Sequence, residues 1–351
     1  MPSREQTYAM LKFSKRDNNF FSTFPPELIR DIATFDEGPN SDIGQALKYA
    51  AYARQEDVEA LLNMLDDNPN LLLQTGNVKT PGGDEIRRVT IYEFALGAGD
   101  YELAEKVQSY FSKIETKDAE QQRICQYERY KPHIDGMLKQ EPYDLGPLIQ
   151  IIKDASAEDV TALLKKDMTR ASKLRDAMIQ FRKDWAPRIL TKPCLHYNYA
   201  SLHYAFELLN LEWRDLYKAS RDNFDKINLV WRQLIGFEMR RLPGIDRCVM
   251  AQGFYYVIEE QESVARSYKF RRDKVKDFPI LVTDDSLDGL GGNFSVDMFG
   301  DRILGKLVGG RGDWAQLGDY WTTYIELKLQ PCRTYAVTTS VSTDWLSNSL
   351  K

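Results

Sequence analysis

A thiol and an imidazole stand close together at one point of the sequence, where Cys194 precedes His196 by two residues. Such a pair can act as nucleophile and base, or supply half of a metal site, when a third group orients it. The sequence supplies no such third group, so we predict that both side chains pack in the core among aromatic residues. Because the chain has three histidines and its four cysteines are far apart, we expect neither a metal nor a cofactor.

Carboxylates in glycine-rich stretches near the C-terminus are the second set with chemical potential. They are Asp284, Asp285, Asp288, Asp297 and Asp301. These side chains could be general bases or metal ligands. The run 284–289 resembles half of a calcium loop, but its twelfth position holds Ser295 in place of a bidentate glutamate, so we expect a turn. The aspartates support an alternative hypothesis, an enzyme whose catalytic domain lies within residues 190–351.

Two arginine pairs, Arg240–Arg241 and Arg271–Arg272, have the forked geometry that suits phosphate. Neither pair follows a glycine-rich turn from strand to helix, so the chain lacks a nucleotide-binding fingerprint.

A net charge of -5 with scattered basic residues argues against a general nucleic-acid surface. No window approaches the ~20 apolar residues of a membrane span. The polar start of the chain lacks a cleaved signal, and the cysteine spacing favours a cytosol-like, reducing compartment.

The elements that must position these residues begin with a degenerate repeat. Each copy pairs a short first helix with a second helix that ends in aliphatic residues, and such pairs bury their apolar faces only by stacking. The three copies start at Tyr49–Ala53, Phe94–Ala98 and, more weakly, Ile152. Stacked helix pairs present a surface that typically binds other proteins. We therefore predict a repeat module over residues 41–166.

An enlarged β-hairpin interrupts this module at residues 71–90. Two β-prone runs flank the glycine-rich turn Thr80–Gly83, which is the pattern of a hairpin. Side chains at and after its tip are candidates for contact with a partner, and the arginines among them suit an acidic one. These candidates are Lys79, Asp84, Arg87 and Arg88.

A helix is predicted before the repeat, within residues 21–38, after a loose lead-in at residues 1–20. Its prolines suit a first helical turn, and its apolar residues fall on one face. The residues that would dock this helix in a groove of a partner are Pro25, Glu27, Leu28, Ile32 and Phe35. The same helix could instead cap the exposed end of the first repeat.

Beyond residue 166 the sequence predicts further helices and then a small, mainly antiparallel sheet. Short β-like runs separated by glycine-rich turns support the sheet. They lie at residues 278–282, 293–296, 303–308, 324–329 and 335–339. The predicted fold class is therefore α+β and mostly helical, with a second domain over residues 167–351.

The segment Phe24–Leu28 resembles the start of an F-box, and residues 42–165 resemble ankyrin-type repeats. Together they are similar to the ankyrin-repeat, F-box-like effector proteins of intracellular bacteria. This resemblance implies delivery into a eukaryotic host without a signal peptide, and recruitment of a host protein or of ubiquitin-ligase machinery. Our first hypothesis is accordingly a non-enzymatic interaction protein, either scaffold or adaptor.

Overall fold

The computed structural model describes residues 41–165, 167–217, 221–272, 275–279 and 317–330, most of which are helical. The helices are α1 Asp42–Tyr52, α2 Gln55–Asp67, α3 Ile91–Gly97, α4 Tyr101–Gln108, α5 Ala119–Asp135, α6 Gly146–Asp154, α7 Ala157–Leu164, α8 Lys173–Asp184, α9 Tyr199–Tyr217, α10 Arg221–Leu229, α11 Gly236–Met239, α12 Gly244–Gln252, α13 Phe254–Ile258 and α14 at 317–330. A π-helical turn, Val230–Ile235, joins α10 to α11. The strands are β1 Gly76–Lys79, β2 Glu85–Val89, β3 Ile189–Leu190, β4 Lys269–Arg272 and β5 Val275–Pro279.

The helix pairs predicted from the repeat are present as α1–α2, α3–α4 and α6–α7, and local capping defines where several of these helices begin. Ser41 accepts a hydrogen bond from the Gly44 amide, and Ser156 caps α7 in the same way. Thr90 and Glu93 form a reciprocal capping box at the start of α3. α1 packs on α2 and α3, and α3 packs on α5, whereas α6 and α7 lie against α8 and α10.

The predicted hairpin is confirmed within its expected range of residues 71–90, since β1 and β2 pair antiparallel around the glycine-rich turn. Its first strand is shorter than predicted, because Pro69–Leu73 form a 3-10 helix. β3 adds to β2 in parallel, which gives a three-stranded mixed sheet in the order β1-β2-β3. A bulge interrupts the β1–β2 ladder near Gly76, where Arg88 has a positive φ of 57°. β4 and β5 form a separate antiparallel pair, and β5 overlaps the strand predicted at residues 278–282.

One hydrophobic cluster runs through the described residues from Ile43 to Ile325, across the domain boundary expected near residue 166. Buried polar contacts also cross that boundary. Arg266 donates to both carboxylate oxygens of Asp100 at 2.7 and 2.8 Å, and both side chains are 2% exposed. The N-terminal and C-terminal parts therefore pack on each other through both apolar and ionic contacts.

The strand predicted at residues 324–329 is wrong, because the structure has α14 there. Alternation over six residues suggested a strand, but the buried residues extend further back along the chain. Leu317, Trp321, Tyr324 and Ile325 are all buried and fall on one helical face. This helical spacing of buried residues, which extends beyond the short alternating run, explains why the segment is a helix. The strands predicted at 293–296, 303–308 and 335–339, and the helix within 21–38, lie outside the described residues.

A candidate partner-binding cleft at the hairpin

A cleft of about 350 Å³ lies between α1 and the tip of the β1–β2 hairpin, and we call it the basic cleft. From α1 it is lined by Gly44, Lys48 and Tyr52, which follow one another at intervals of four residues and so form one stripe of the helix. The remaining lining residues are Asn77, Val78, Lys79, Thr80, Pro81, Gly83, Pro187 and Arg241. The cleft thus combines a helix face, a strand and residues far along the chain.

Two arginines hold the hairpin tip against the helical body. The Arg241 guanidinium donates to the carbonyl of Gly82 at 2.5 Å and to that of Trp185 at 2.9 Å. The Arg247 guanidinium donates to the carbonyl of Pro81 at 2.9 Å. A β-carbon at Gly82 would lie 3.0 Å from the Arg241 carbonyl oxygen, so the two backbones are in close contact. The wall of the cleft is therefore pre-formed.

Two lysines without a carboxylate partner among the described residues distinguish the basic cleft. Its lining residues include Lys48 and Lys79 but no Asp or Glu, whereas the third cation, Arg241, donates to backbone carbonyls and interacts with the buried Asp84. Both lysine side chains are exposed, and within the part of the chain that the structure describes neither forms an ion pair or a side-chain hydrogen bond. Cations concentrated in a concave surface attract negatively charged ligands and speed their encounter.

Of the hairpin residues that the sequence proposed, Lys79 lines this cleft, whereas Asp84 is buried at 4% exposure. The Asp84 carboxylate accepts a hydrogen bond from the Arg188 amide at 2.7 Å, which links the hairpin to the segment before β3. Burial raises the pKa of Asp84 above its usual value, against the opposing effect of Arg188.

The two arginines of β2 do not line the basic cleft. Arg87 forms an ion pair with Glu85 at 2.7 Å. Arg88 is exposed at the bulge, and its amide donates to the Asn77 side-chain oxygen at 3.0 Å. The docking residues proposed in the first helix, Pro25, Glu27, Leu28, Ile32 and Phe35, lie outside the described residues.

Sequence reasoning missed Lys48 and Tyr52 as site residues, and it considered Arg241 only for phosphate binding, without a supporting fingerprint. Lys48 and Tyr52 could have been found from the helical period, because they share a stripe of α1 with Gly44. Arg241 could not, since its role depends on a contact with Gly82, 159 positions away.

A second cleft, of about 310 Å³, lies beside the first and shares Arg241 with it. Its charges are mixed: Asp84, Glu141 and Asp184 are present together with Arg188. Because Arg188 lies 3.6 Å from Asp84, part of this charge is neutralised within the protein. The second cleft therefore lacks the uniform charge of the basic cleft.

The thiol and imidazole are not arranged for catalysis. His196 is 4% exposed, and within the described region neither of its ring nitrogens has a hydrogen-bond partner. Burial lowers the pKa of His196 to about 3, so the imidazole is neutral at pH 7. Burial also raises the pKa of the Cys194 thiol. His196 instead packs against Phe94, with ring centroids 4.8 Å apart, in agreement with the core position predicted for it.

A buried polar network joins α14 to α9 and α12. Asp246 is fully buried and accepts hydrogen bonds from Tyr324 at 2.7 Å, from Tyr199 at 3.0 Å and from the ammonium of Lys328. Burial raises the pKa of Asp246, although Lys328 and the two hydroxyls oppose the shift. Because its carboxylate is closed off from solvent, this network stabilises the fold and does not offer a substrate site.

Within the described residues no group of three or more His, Cys, Asp or Glu side chains is placed to hold a metal ion. The aspartates at 284–301, which supported the enzyme hypothesis, lie outside those residues. None of the helices described combines the length and the apolar character that crossing a bilayer requires. No protein-family model matches the sequence, and comparisons with curated proteins and with solved structures give no match.

Proposed function

We propose that this chain is a protein-interaction protein, a scaffold or adaptor, which binds an acidic segment of its partner in the basic cleft. The observation that supports this proposal is the pair of lysines, Lys48 and Lys79, which share one cleft and have no carboxylate partner in the described structure. The rigid attachment of the hairpin tip by Arg241 adds to it, because a pre-formed site loses little entropy on binding.

The expected energy is modest. An exposed ion pair contributes about 0.2–1 kcal/mol, so two lysines that each meet a carboxylate contribute about 0.4–2 kcal/mol. Replacing both by glutamate exchanges attraction for repulsion of similar size, so the expected loss is about 0.8–4 kcal/mol, or about fourfold to several hundredfold in affinity. Because exposed pairs are screened, binding should also weaken as salt is raised from low to physiological concentration.

Two finer proposals concern the module and its biological setting. We propose that α1–α2, α3–α4 and α6–α7 are ankyrin-like units, a hypothesis supported by their helix–turn–helix form and the contact between α1 and α3. By resemblance we further propose an effector that recruits a host protein or ubiquitin-ligase machinery from a eukaryotic cytosol. The helix predicted within residues 21–38 would supply the ligase contact in that case.

The test is an affinity pull-down from eukaryotic lysate, read by mass spectrometry, with variants of equal charge. Lys48→Glu/Lys79→Glu alters the basic cleft, and Lys117→Glu/Lys139→Glu makes the same change of charge at exposed lysines outside it. We expect acidic partners to be retained by the wild type and the control but lost from the cleft variant. Equal retention by all three would contradict the proposal. A Leu28→Ala/Ile32→Ala variant tests the ligase contact in the same assay.

A further inference from the structure

The outer edge of β1 carries backbone groups that point away from the sheet. The Thr80 amide donates to the Asp84 carbonyl at 2.8 Å, and the Thr80 carbonyl accepts from the Gly83 amide at 2.9 Å, so both backbone groups of Thr80 face the second strand as in a hydrogen-bonded pair. In an antiparallel ladder such pairs alternate with pairs whose backbone groups face outward. Lys79 and its partner Glu85 are the next pair, so the N–H and C=O of Lys79 face away from β2.

The other side of the sheet supports this orientation independently. The Glu85 amide donates to the Arg188 carbonyl at 2.8 Å, in the direction of β3 and away from β1. Because the backbone N–H of Glu85 points toward β3, the backbone groups of its partner Lys79 point away from the sheet on the opposite side. Among the described strands none pairs with that outer edge, because β1 is the first strand in the order β1-β2-β3.

This edge, with which no described strand pairs, borders the basic cleft, and α1 packs on β1 at its start, where Leu47 lies close to Gly76. Lys79 and Asn77 both line the cleft. By the same alternation along β1, the backbone N–H and C=O of Asn77 also point away from β2. Across the cleft stand Lys48 and Tyr52 of α1. An extended segment lying in the cleft would therefore have the strand edge on one side and a lysine-bearing helix on the other.

We propose that the acidic partner segment binds by strand addition, pairing its backbone with the outer edge of β1 while its carboxylates meet Lys48 and Lys79. This inference rests on the proposed function and specifies how the partner binds. Main-chain hydrogen bonds supply affinity in such complexes, and alternate side chains supply specificity. β1 has four residues, so it offers about 13 Å of edge at about 3.3 Å per residue.

The charge on the edge selects the partner. Lysines and bulges on edge strands discourage pairing with neutral strands, and β1–β2 carries both, in Lys79 and in the bulge at Arg88. A strand with carboxylates on the matching face removes the electrostatic penalty that excludes other strands. Lys79 and the bulge at Arg88 would thus discourage pairing with neutral strands but permit pairing with an acidic one.

The test uses a fluorescein-labelled octapeptide of alternating Glu and Thr and measures its affinity by anisotropy at low salt. Two further peptides are N-methylated at every Glu or at every Thr. Because only alternate residues of an added strand face β1, one methylated peptide should lose at least about tenfold in affinity while the other binds as the parent does. In hydrogen exchange, the Lys79 amide should become protected when the parent peptide binds.

The two proposals fail in different ways. If Lys48→Glu/Lys79→Glu abolishes binding but both methylated peptides bind like the parent, strand addition is wrong and the electrostatic interaction stands. If the parent peptide binds the cleft variant and the wild type equally well, or binds neither, the basic cleft does not recognise acidic chains and both proposals are refuted. Lys117→Glu/Lys139→Glu again provides the control of equal charge.

Discussion

His196 should make the stability of this protein depend on pH in a window where few other side chains titrate. The imidazole is buried against Phe94, and its pKa falls from 6.5 to about 3 because of burial. The folded state therefore resists protonation that the unfolded chain accepts. Stability from this group is fully present above pH 6.5 and is lost as the pH falls toward 3.

The magnitude follows from the two pKa values. Each pH unit below 6.5 removes about 1.4 kcal/mol, so at pH 4.5 the loss from this histidine is about 3 kcal/mol. That is a large fraction of the about 5–15 kcal/mol that holds a typical protein folded. The perturbation is His196→Leu, which removes the titrating group and keeps an apolar side chain at the position.

The assay is urea denaturation at half-unit steps between pH 7 and pH 4.5. The wild type should lose about 3 kcal/mol more than His196→Leu over this range, whatever the variant loses at pH 7 from poorer packing. His133→Gln, at an exposed histidine, provides the control and should follow the wild type. Parallel curves for the wild type and His196→Leu would refute the assignment of a buried, neutral imidazole.

Two further predictions concern packing and the buried network. Lys328→Met leaves Asp246 as an uncompensated buried charge and should lower the free energy of unfolding by about 3–5 kcal/mol in urea denaturation. Adding Asp246→Asn in the same chain should restore much of the lost stability. No recovery in the double variant would contradict the ion pair. Gly97→Ala would bring a β-carbon within 2.9 Å of the His196 ring and should cost about 1–3 kcal/mol of stability by overpacking. In the control Gly318→Ala the nearest neighbour of the new β-carbon would be 3.7 Å away, so this variant should not be destabilised. Equal thermal midpoints for the two variants would count against the close approach of Gly97 to His196.

Local signals in the sequence predicted much of the secondary structure. The turn Thr80–Gly83 indicated the hairpin, and the repeat pattern indicated the helix pairs α1–α2, α3–α4 and α6–α7. Such signals work because capping, turn geometry and helical period depend on neighbours a few residues apart. They failed for α14, where a short alternating run imitated a strand within a longer helical pattern.

The candidate site depended on contacts between distant positions. The composition alone established a net charge of -5, and the hairpin pattern included Lys79 among its candidates. Only the tertiary structure placed Lys48 and Lys79 in the lining of one cleft, bonded Arg241 to the hairpin tip and buried Asp84 against the segment before β3. The physical reason is that a cleft and its charge are properties of surfaces from separate elements, and packing decides which surfaces meet.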